Sequence, residues 1–343
     1  IMTIIHSGDI MCTCINISYK NNHYFGRNMD LNYSFNERII IVPKNYLIKF
    51  KKEKEIKNHY SFLGIGTIID NYPLLAEGSN EYGVSIAALN YPIECKYHNL
   101  NKENINLTPY ELPLLILSKC KDLKDIRKII NNLNLINLPF NKNIDLTPLH
   151  FMISYKNKSI VIESNKYGVE IHNNPFNVLT NSPSFNYHKY SLNNYINLNN
   201  DFIKNNLNNL KFNDYSYGLG AYGLPGDYSS NSRFIKIYFI KNYLELNDNN
   251  EYNVLQFFKC LDSVSMIKNV VKTNNDYEYT RYTSCYINNT LYYKTYYSNI
   301  RYISLNDFDL NDNKLIYINL NNKIEIKKKR ELLSSNLRTK LDY

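Results

Sequence analysis

Between Cys12 and Pro92 the chain alternates short β-branched and aromatic runs with turn residues: CTCINISY, HYFGRNMD, RIIIVPKNY, FLGIGTII and VSIAALNYP, each bounded by Gly, Asn or Pro. Such runs, punctuated in this way, are strands. The stretch EGSNEYG reads as a turn between the last two, and the whole region as a multi-stranded antiparallel sheet. Helices follow. Thr108-Pro109-Tyr110-Glu111 offers a cap residue, a Pro at the first helical position and an acid in the first turn, ahead of the apolar LPLLILSKC. Leu123, Ile126, Ile130 and Leu133 mark one face of a second amphipathic helix. Strands return at HFMISYKN, SIVIESN and KYGVEIHNNP. The Asn-rich stretch 190–210 carries enough Leu and Ile for a helix, and further helices are expected at SSNSRFIKIYFIKNYLEL and YNVLQFFKCLDSV. The Tyr-rich runs YEYTRYTSCYI, TLYYKTYY and RYISL form a closing meander. This order predicts sheets with helices on their outer faces.

No Pro/Gly/Ser linker or internal repeat divides the 343 residues, so one domain is expected. A hydrophobic content of 44% supplies a sizeable core. The net charge of +9 comes without a basic cluster: the dense runs at 49–57 and 323–332 are laced with Glu and read as solvated surface. Abundant Asn, Ile, Lys and Tyr with no Trp fits codon usage in an AT-rich genome. No nucleic-acid partner is expected. Six cysteines, at 12, 14, 95, 120, 260 and 285, form no CxxC pair, a pattern of reduced thiols in a cytosol. The opening IMTIIHSGDI lacks the basic and apolar regions of a secretory signal, and no run of about 18 apolar residues predicts membrane insertion. A cytoplasmic protein is expected.

Two motif matches carry little. Gly218, Gly220 and Gly223 satisfy G-x-G-x-x-G, but Leu-Pro-Gly-Asp follows where a helix should open, so a loop is expected and no dinucleotide cofactor. Cys12 and Cys14 share one strand face, yet no Cys/His pair of ligand spacing completes a zinc site. Asn-x-Ser/Thr matches at Asn16, Asn106, Asn157 and Asn288 are expected by chance in so Asn-rich a chain. More informative are polar residues where apolar strands end: Arg27 and Asp30 in FGRNMD, Asn90 in AALNYP, Asn181 in VLTNSPSF and Arg233 in LPGDYSSNSRF. Singly, each reads as a surface ion pair, an Asx turn or a helix-face cation. Together they accompany a Met-Cys pair, Met11 and Cys12, set ten residues inside the chain.

The segments MCTCINISYKNNHYFGRNMDLNYSFNERIIIVPKNY, AEGSNEYGVSIAALNYP, LTPLHFMIS, VLTNSPSFNYH and GLPGDYSSNSRF together resemble the choloylglycine hydrolases, the family of bile salt hydrolases and penicillin V acylases. The likeness runs from Met11 to about Leu305. It implies an α+β fold: a four-layer αββα N-terminal nucleophile hydrolase with two stacked antiparallel sheets. It also implies a cysteine nucleophile at Cys12, whose freed α-amino group acts as base. Residues 1–11 are then expected to be a leader ending in the initiator Met11, whether upstream sequence, a cloning remnant or a short propeptide, and residues 12–343 a single domain. Carried over by position, Arg27 lies beside the sulfur and Asp30 accepts from the Cys12 ammonium. Asn181 and the Asn90 region supply oxyanion donors, Arg233 completes the polar cluster, and Met29 belongs to the substrate pocket, walled by 42–50 and 135–143.

The resemblance implies no cofactor and no metal, and often a homotetramer. Asn90 followed by Tyr-Pro resembles the bile salt hydrolases, so cleavage of conjugated bile salts to bile acid plus glycine or taurine is expected. Penicillin V, or another N-acyl amide, is the alternative substrate. A non-catalytic binder of anionic amphiphiles is the reading of a different class, should Cys12 never be freed.

Overall fold

The computed structural model describes residues 11–202, 216–273 and 276–320. Seven strands make one sheet: β1 (Met11–Tyr19), β2 (Asn22–Leu31), β12 (Val178–Leu179), β13 (Val271–Lys272), β14 (Tyr277–Ile287), β15 (Thr290–Thr295) and β16 (Arg301–Ser304). Their order is β12-β1-β2-β14-β15-β16, with β13 on β14. Eight make the other: β3 (Arg38–Val42), β4 (Phe62–Ile69), β5 (Tyr72–Asn80), β6 (Val84–Asn90), β9 (Leu149–Tyr155), β10 (Lys158–Asn165), β11 (Gly168–Asn174) and β17 (Ile316–Asn319). These run β11-β10-β9-β6-β5-β4-β3-β17. Every pairing in both sheets is antiparallel; β7 (Ile105–Leu107) and β8 (Leu133–Leu135) add a small parallel pair.

Helices cover the outer faces. α1 (Leu112–Lys119) and α2 (Leu123–Ile130) bury Leu114, Leu117, Ile126 and Ile130 with the eight-stranded sheet. On the seven-stranded sheet lie α3 (Phe185–Ser191), α4 (Ser230–Asn242) and α5 (Asn250–Asp262), which bury Phe185, Phe234, Phe257 and Phe258. Between the sheets, Cys14 joins Ile39, Ile65, Leu89 and Met152 in one core. The result is the four-layer αββα arrangement, with each sheet hydrophobic on both faces. Side-chain caps start three of the helices: Asp122 accepts from the Asp125 N–H, Ser229 from Ser232 and Asn249 from Glu251 and Tyr252.

Several expectations change. The turn EGSNEYG shrinks to its last three residues, because Glu77–Asn80 complete β5, a strand that Pro73, Gly78 and Ser79 had disguised. Gly83 takes up the positive φ of the tightened turn, at 78°. α1 starts at Leu112 with Pro113 in its first turn, not at Pro109. Glu111 bonds the Thr108 N–H at 2.9 Å, so Thr108 and Pro109 belong to the loop before the helix. Of the helix expected over 190–210, Ser191 ends α3, one 3-10 turn spans Leu192–Tyr195, and residues 203–215 lie outside the described set. GLGAYG forms the expected loop, with Gly218 and Gly223 at positive φ around a short 3-10 turn.

One glycine in β2 is required by close approach. A Cβ built on Gly26 would stand 2.0 Å from the Ser284 carbonyl oxygen of β14, a main-chain atom that cannot move aside alone. Gly26→Ala is therefore expected to cost about 3 kcal/mol or more, read as a lowered midpoint in urea unfolding. An unchanged midpoint would show that β2 and β14 separate without penalty.

Candidate active site

Antiparallel pairing of β1 with β2 sets Cys12 opposite Met29 and Cys14 opposite Arg27. Strand alternation then sorts the side chains. Arg27 reaches across to the other sheet, where its Nη1 donates to the Ala88 carbonyl. Thr13 and Asn28 point the other way, toward α4 and α5: Thr13 accepts from Arg233, and Asn28 Nδ2 donates to the Leu261 carbonyl at 2.8 Å.

Cys12 lies where these contacts meet. Arg27 Nη2 donates to its Sγ, and the Met29 sulfur stands 3.9 Å from it. The Cys12 N–H donates to Asn181 Oδ1 at 2.7 Å. Arg233 Nη1 binds the Cys12 carbonyl and, at 2.7 Å, Thr13 Oγ1, while its Nη2 donates to Asn181 Oδ1 at 2.8 Å. Asn181 Nδ2 donates to the Asn90 carbonyl at 2.9 Å. Asp30 accepts from Thr280 Oγ1 at 2.5 Å, and its main-chain N–H bonds the Cys12 sulfur. Cys12, Arg27, Met29, Asp30, Asn90, Asn181 and Arg233 are thus gathered at one place, drawn from two sheets, a loop and α4.

Burial shapes the electrostatics. It raises the Cys12 thiol, and Arg27 is the strongest pull downward. Burial pushes Asp30 up to about 6, against Arg233 and Thr280. It also works against the Arg27 cation, but the fields of Cys12, Tyr282 and Glu77 overcome it and hold Arg27 above its ordinary value. Arg233 is lowered, by burial chiefly. A cation against a buried sulfur favours thiolate.

Motif reasoning did not find the residues that stand behind this cluster. Glu77 of β5 faces Arg27, and Thr280 of β14 holds Asp30. Glu278 accepts the Met11 N–H at 3.2 Å. The loop carrying Asn181 is held by two buried imidazoles. His150 Nε2 lies 2.9 Å from the Thr180 carbonyl and His188 Nε2 lies 2.8 Å from that of Asn181, each spacing fitting an N–H donated to oxygen. Glu163 bonds His150 Nδ1 at 3.2 Å and the Phe185 N–H at 2.8 Å. At α4, the Asn181 N–H donates to Ser230 Oγ at 2.9 Å. A buried polar group imposed by three elements in this way holds one geometry. An acid amid the small residues of LLAEGSN was the one visible signal for Glu77.

At Cys12 opens a cleft of about 980 Å³ including its mouth, lined largely by Met29, Leu31, Phe35, Leu74, Phe140 and Leu146, with Asn90 also in its lining. Phe140 fits the expectation for 135–143, and Ile144–Thr147 extend that wall. The stretch 42–50 contributes nothing to the lining; Val42 and Ile48 are buried under α1 and α2 instead, and residues 31–35 and 74–76 take its place. Among the described residues no three His, Cys, Asp or Glu side chains group to hold a metal ion, and no helix is long and apolar enough to cross a membrane.

Residues 12–318 match the family of linear amide C-N hydrolases, choloylglycine hydrolase family. A bile salt hydrolase/transferase of Lactiplantibacillus plantarum is 40% identical over 312 residues, covering 89% of this chain and 96% of that protein. A bile salt hydrolase/transferase of Clostridium perfringens is 36% identical over 317 residues, covering 89% and 95%. In three dimensions, a cysteine-to-alanine mutant of the conjugated bile acid hydrolase from Clostridium perfringens superposes with a TM-score of 0.87 at 34% identity, over 93% of this chain and 100% of the other. Penicillin V acylase from Agrobacterium tumefaciens shares the fold, with a TM-score of 0.68 at 16% identity over 90% and 91%. Fold and sequence agree: the chain belongs to the choloylglycine hydrolase family of linear amide C-N hydrolases.

Proposed function

We propose that this protein hydrolyses the amide bond of conjugated bile salts, with Cys12 as nucleophile, releasing bile acid and glycine or taurine. One observation carries the reading: the Cys12 sulfur, bonded by Arg27, lines a wide apolar cleft suited to a large hydrophobic acyl group. The names of the similar proteins point to the same substrates.

In the proposed reaction Met11 and all before it have been removed, and Cys12 carries a free α-amine. An α-amine has a reference pKa of about 7.7–8.0 and a thiol one of about 8.5, so near neutral pH the amine can take the thiol proton. Arg27 stabilises the thiolate, which attacks the amide carbonyl carbon. The Asn181 carboxamide and the Asn90 region face the developing oxyanion; a donor so placed is worth about 10²–10³ in turnover. The protonated α-amine then passes its proton to the leaving nitrogen, the C–N bond breaks, and glycine or taurine departs. Water, deprotonated by the same amine, attacks the thioester, and bile acid leaves with the thiol restored. Asp30 and Arg233 orient the Cys12 main chain, Asp30 through its charge and Arg233 through the Cys12 carbonyl. A homotetramer in the cytoplasm accompanies this reading.

The test is amine release from glycocholate, taurocholate and penicillin V at matched concentrations. Release from a bile salt at least about tenfold faster than from penicillin V is expected, since one well-fitted apolar pocket commonly separates substrates by that much. Faster release from penicillin V would keep the mechanism and move the substrate. Tight binding of bile salts without release, by protein with Cys12 shown to be terminal, would make the chain a binder.

A further inference from the structure

Arg27 is among the largest fully buried side chains of the protein. A guanidinium taken wholly out of water needs anionic partners. The Cys12 sulfur is one when ionised. The other is Glu77, on the opposite sheet: its Oε2 stands 3.6 Å from Arg27 Nε, and both side chains are 0% exposed. Tyr286 OH donates to Glu77 Oε1 at 3.3 Å, and the Ser284 hydroxyl also bonds this carboxylate. Ser284 Oγ in turn accepts the Arg27 N–H at 3.2 Å. Glu77 does not line the cleft. It meets the reacting sulfur through Arg27, which touches both.

We propose that Glu77 is a positioning residue: its carboxylate, tied down by β14, fixes the Arg27 guanidinium against the Cys12 sulfur and supplies its counter-charge from behind. The inference rests on the reading of Cys12 as nucleophile. Misplacing a group at the reacting centre by about 1 Å can cost about 10² in rate, so the ion pair is expected to matter for chemistry and not for stability alone.

The groups facing Glu77 are Arg27 from β2, Cys14 from β1, and Tyr282 and Tyr286 from β14. Burial raises Cys14 and both tyrosines well above their ordinary values, and Arg27 stays charged. Burial pushes Glu77 itself up to about 7, against the pull of Arg27. Within this set it is Glu77 that changes charge near neutrality, and protonation loosens its hold on Arg27 as pH falls.

The experiment measures alkylation of Cys12 by iodoacetamide, followed by peptide mass, in wild type and Glu77→Gln across about pH 5.5–8.5. Alkylation of the variant is expected to be about tenfold slower at pH 8, with the two rates converging below about pH 6 as wild-type Glu77 protonates. Glu77→Asp should recover most of the rate. In an Arg27→Leu background, Glu77→Gln should change it by less than about twofold, as a double-mutant cycle requires of residues acting in series. A pH-independent ratio, or an undiminished effect without Arg27, would overturn the proposal. Should Glu77→Gln fail to fold, Tyr286→Phe removes only the hydroxyl on Oε1 and is expected to slow alkylation about threefold with the same dependence on Arg27. Coupled alkylation in a protein that cleaves no bile salt would sink the substrate reading and leave this one standing.

Discussion

Cys12→Ala is expected to abolish bile salt cleavage, by at least about 10⁴ in kcat, while leaving the fold intact. The sulfur is the one group in the cleft able to form a covalent bond to an acyl carbon while Arg27 stabilises its anion. Without it no tetrahedral intermediate forms. The structural cost is small, because β1 keeps its pairing with β2 and Arg27 keeps the Ala88 carbonyl and Glu77. Circular dichroism and a thermal melt close to wild type, together with amine release at background, is the expected pair of results. Cys12→Ser should sit near Ala: a hydroxyl is far less acidic than a thiol and Arg27 cannot close that gap. Turnover above about one percent of wild type by the Ala variant, with its mass verified, would remove Cys12 from the chemistry.

How far the sequence carried this picture follows from the range over which each feature is encoded. Strands β1 to β4 and β6 were legible from local alternation and bounding turn residues. β5 was not, since Pro73 and the small polar run EGSN mimic a turn, and its strand state depends on pairing with β4 from Phe62–Asn80 to Ile69–Tyr72. β17 is invisible for a similar reason: Ile316–Asn319 become a strand by adding to β3 (Arg38–Val42), near the other end of the chain. The site divides in the same way. Residues in recognisable segments, Arg27, Asp30, Asn181 and Arg233 among them, could be read directly, although Arg27 lies inside β2 and Arg233 inside α4 and not at strand ends. Glu77, Thr280 and His150 could not, because each reaches the site from a distant segment: Glu77 from β5 to Arg27, Thr280 from β14 to Asp30 and His150 from β9 to Thr180. The substrate wall went to residues 31–35 instead of 42–50 because Val42 and Ile48 had a better use as core under the helices.

The second large effect concerns the nitrogen of Cys12. A chain in which Cys12 remains amide-linked to Met11 is expected to cleave bile salts at no more than background, and to gain full activity when that bond alone is cut. An amide nitrogen has its lone pair delocalised into the carbonyl and cannot accept the thiol proton; a free α-amine can, with a reference pKa of about 7.7–8.0. Among the described residues no imidazole contacts the sulfur, whose bonded neighbours are Arg27, Met29 and the Asp30 N–H. Without the amine, thiol deprotonation falls to bulk solvent. The surroundings already suit a free amine: Asn181 Oδ1 accepts from the Cys12 nitrogen at 2.7 Å, and Glu278 accepts from the nitrogen of Met11, the residue before it. The measurement places a site for a sequence-specific protease directly before Cys12 and follows amine release together with intact mass as the protease acts. Activity rising in step with the cleaved species is the expected course. Full activity in a species whose mass retains the Met11–Cys12 bond would require another base, and the reading of this site as an N-terminal nucleophile would fall.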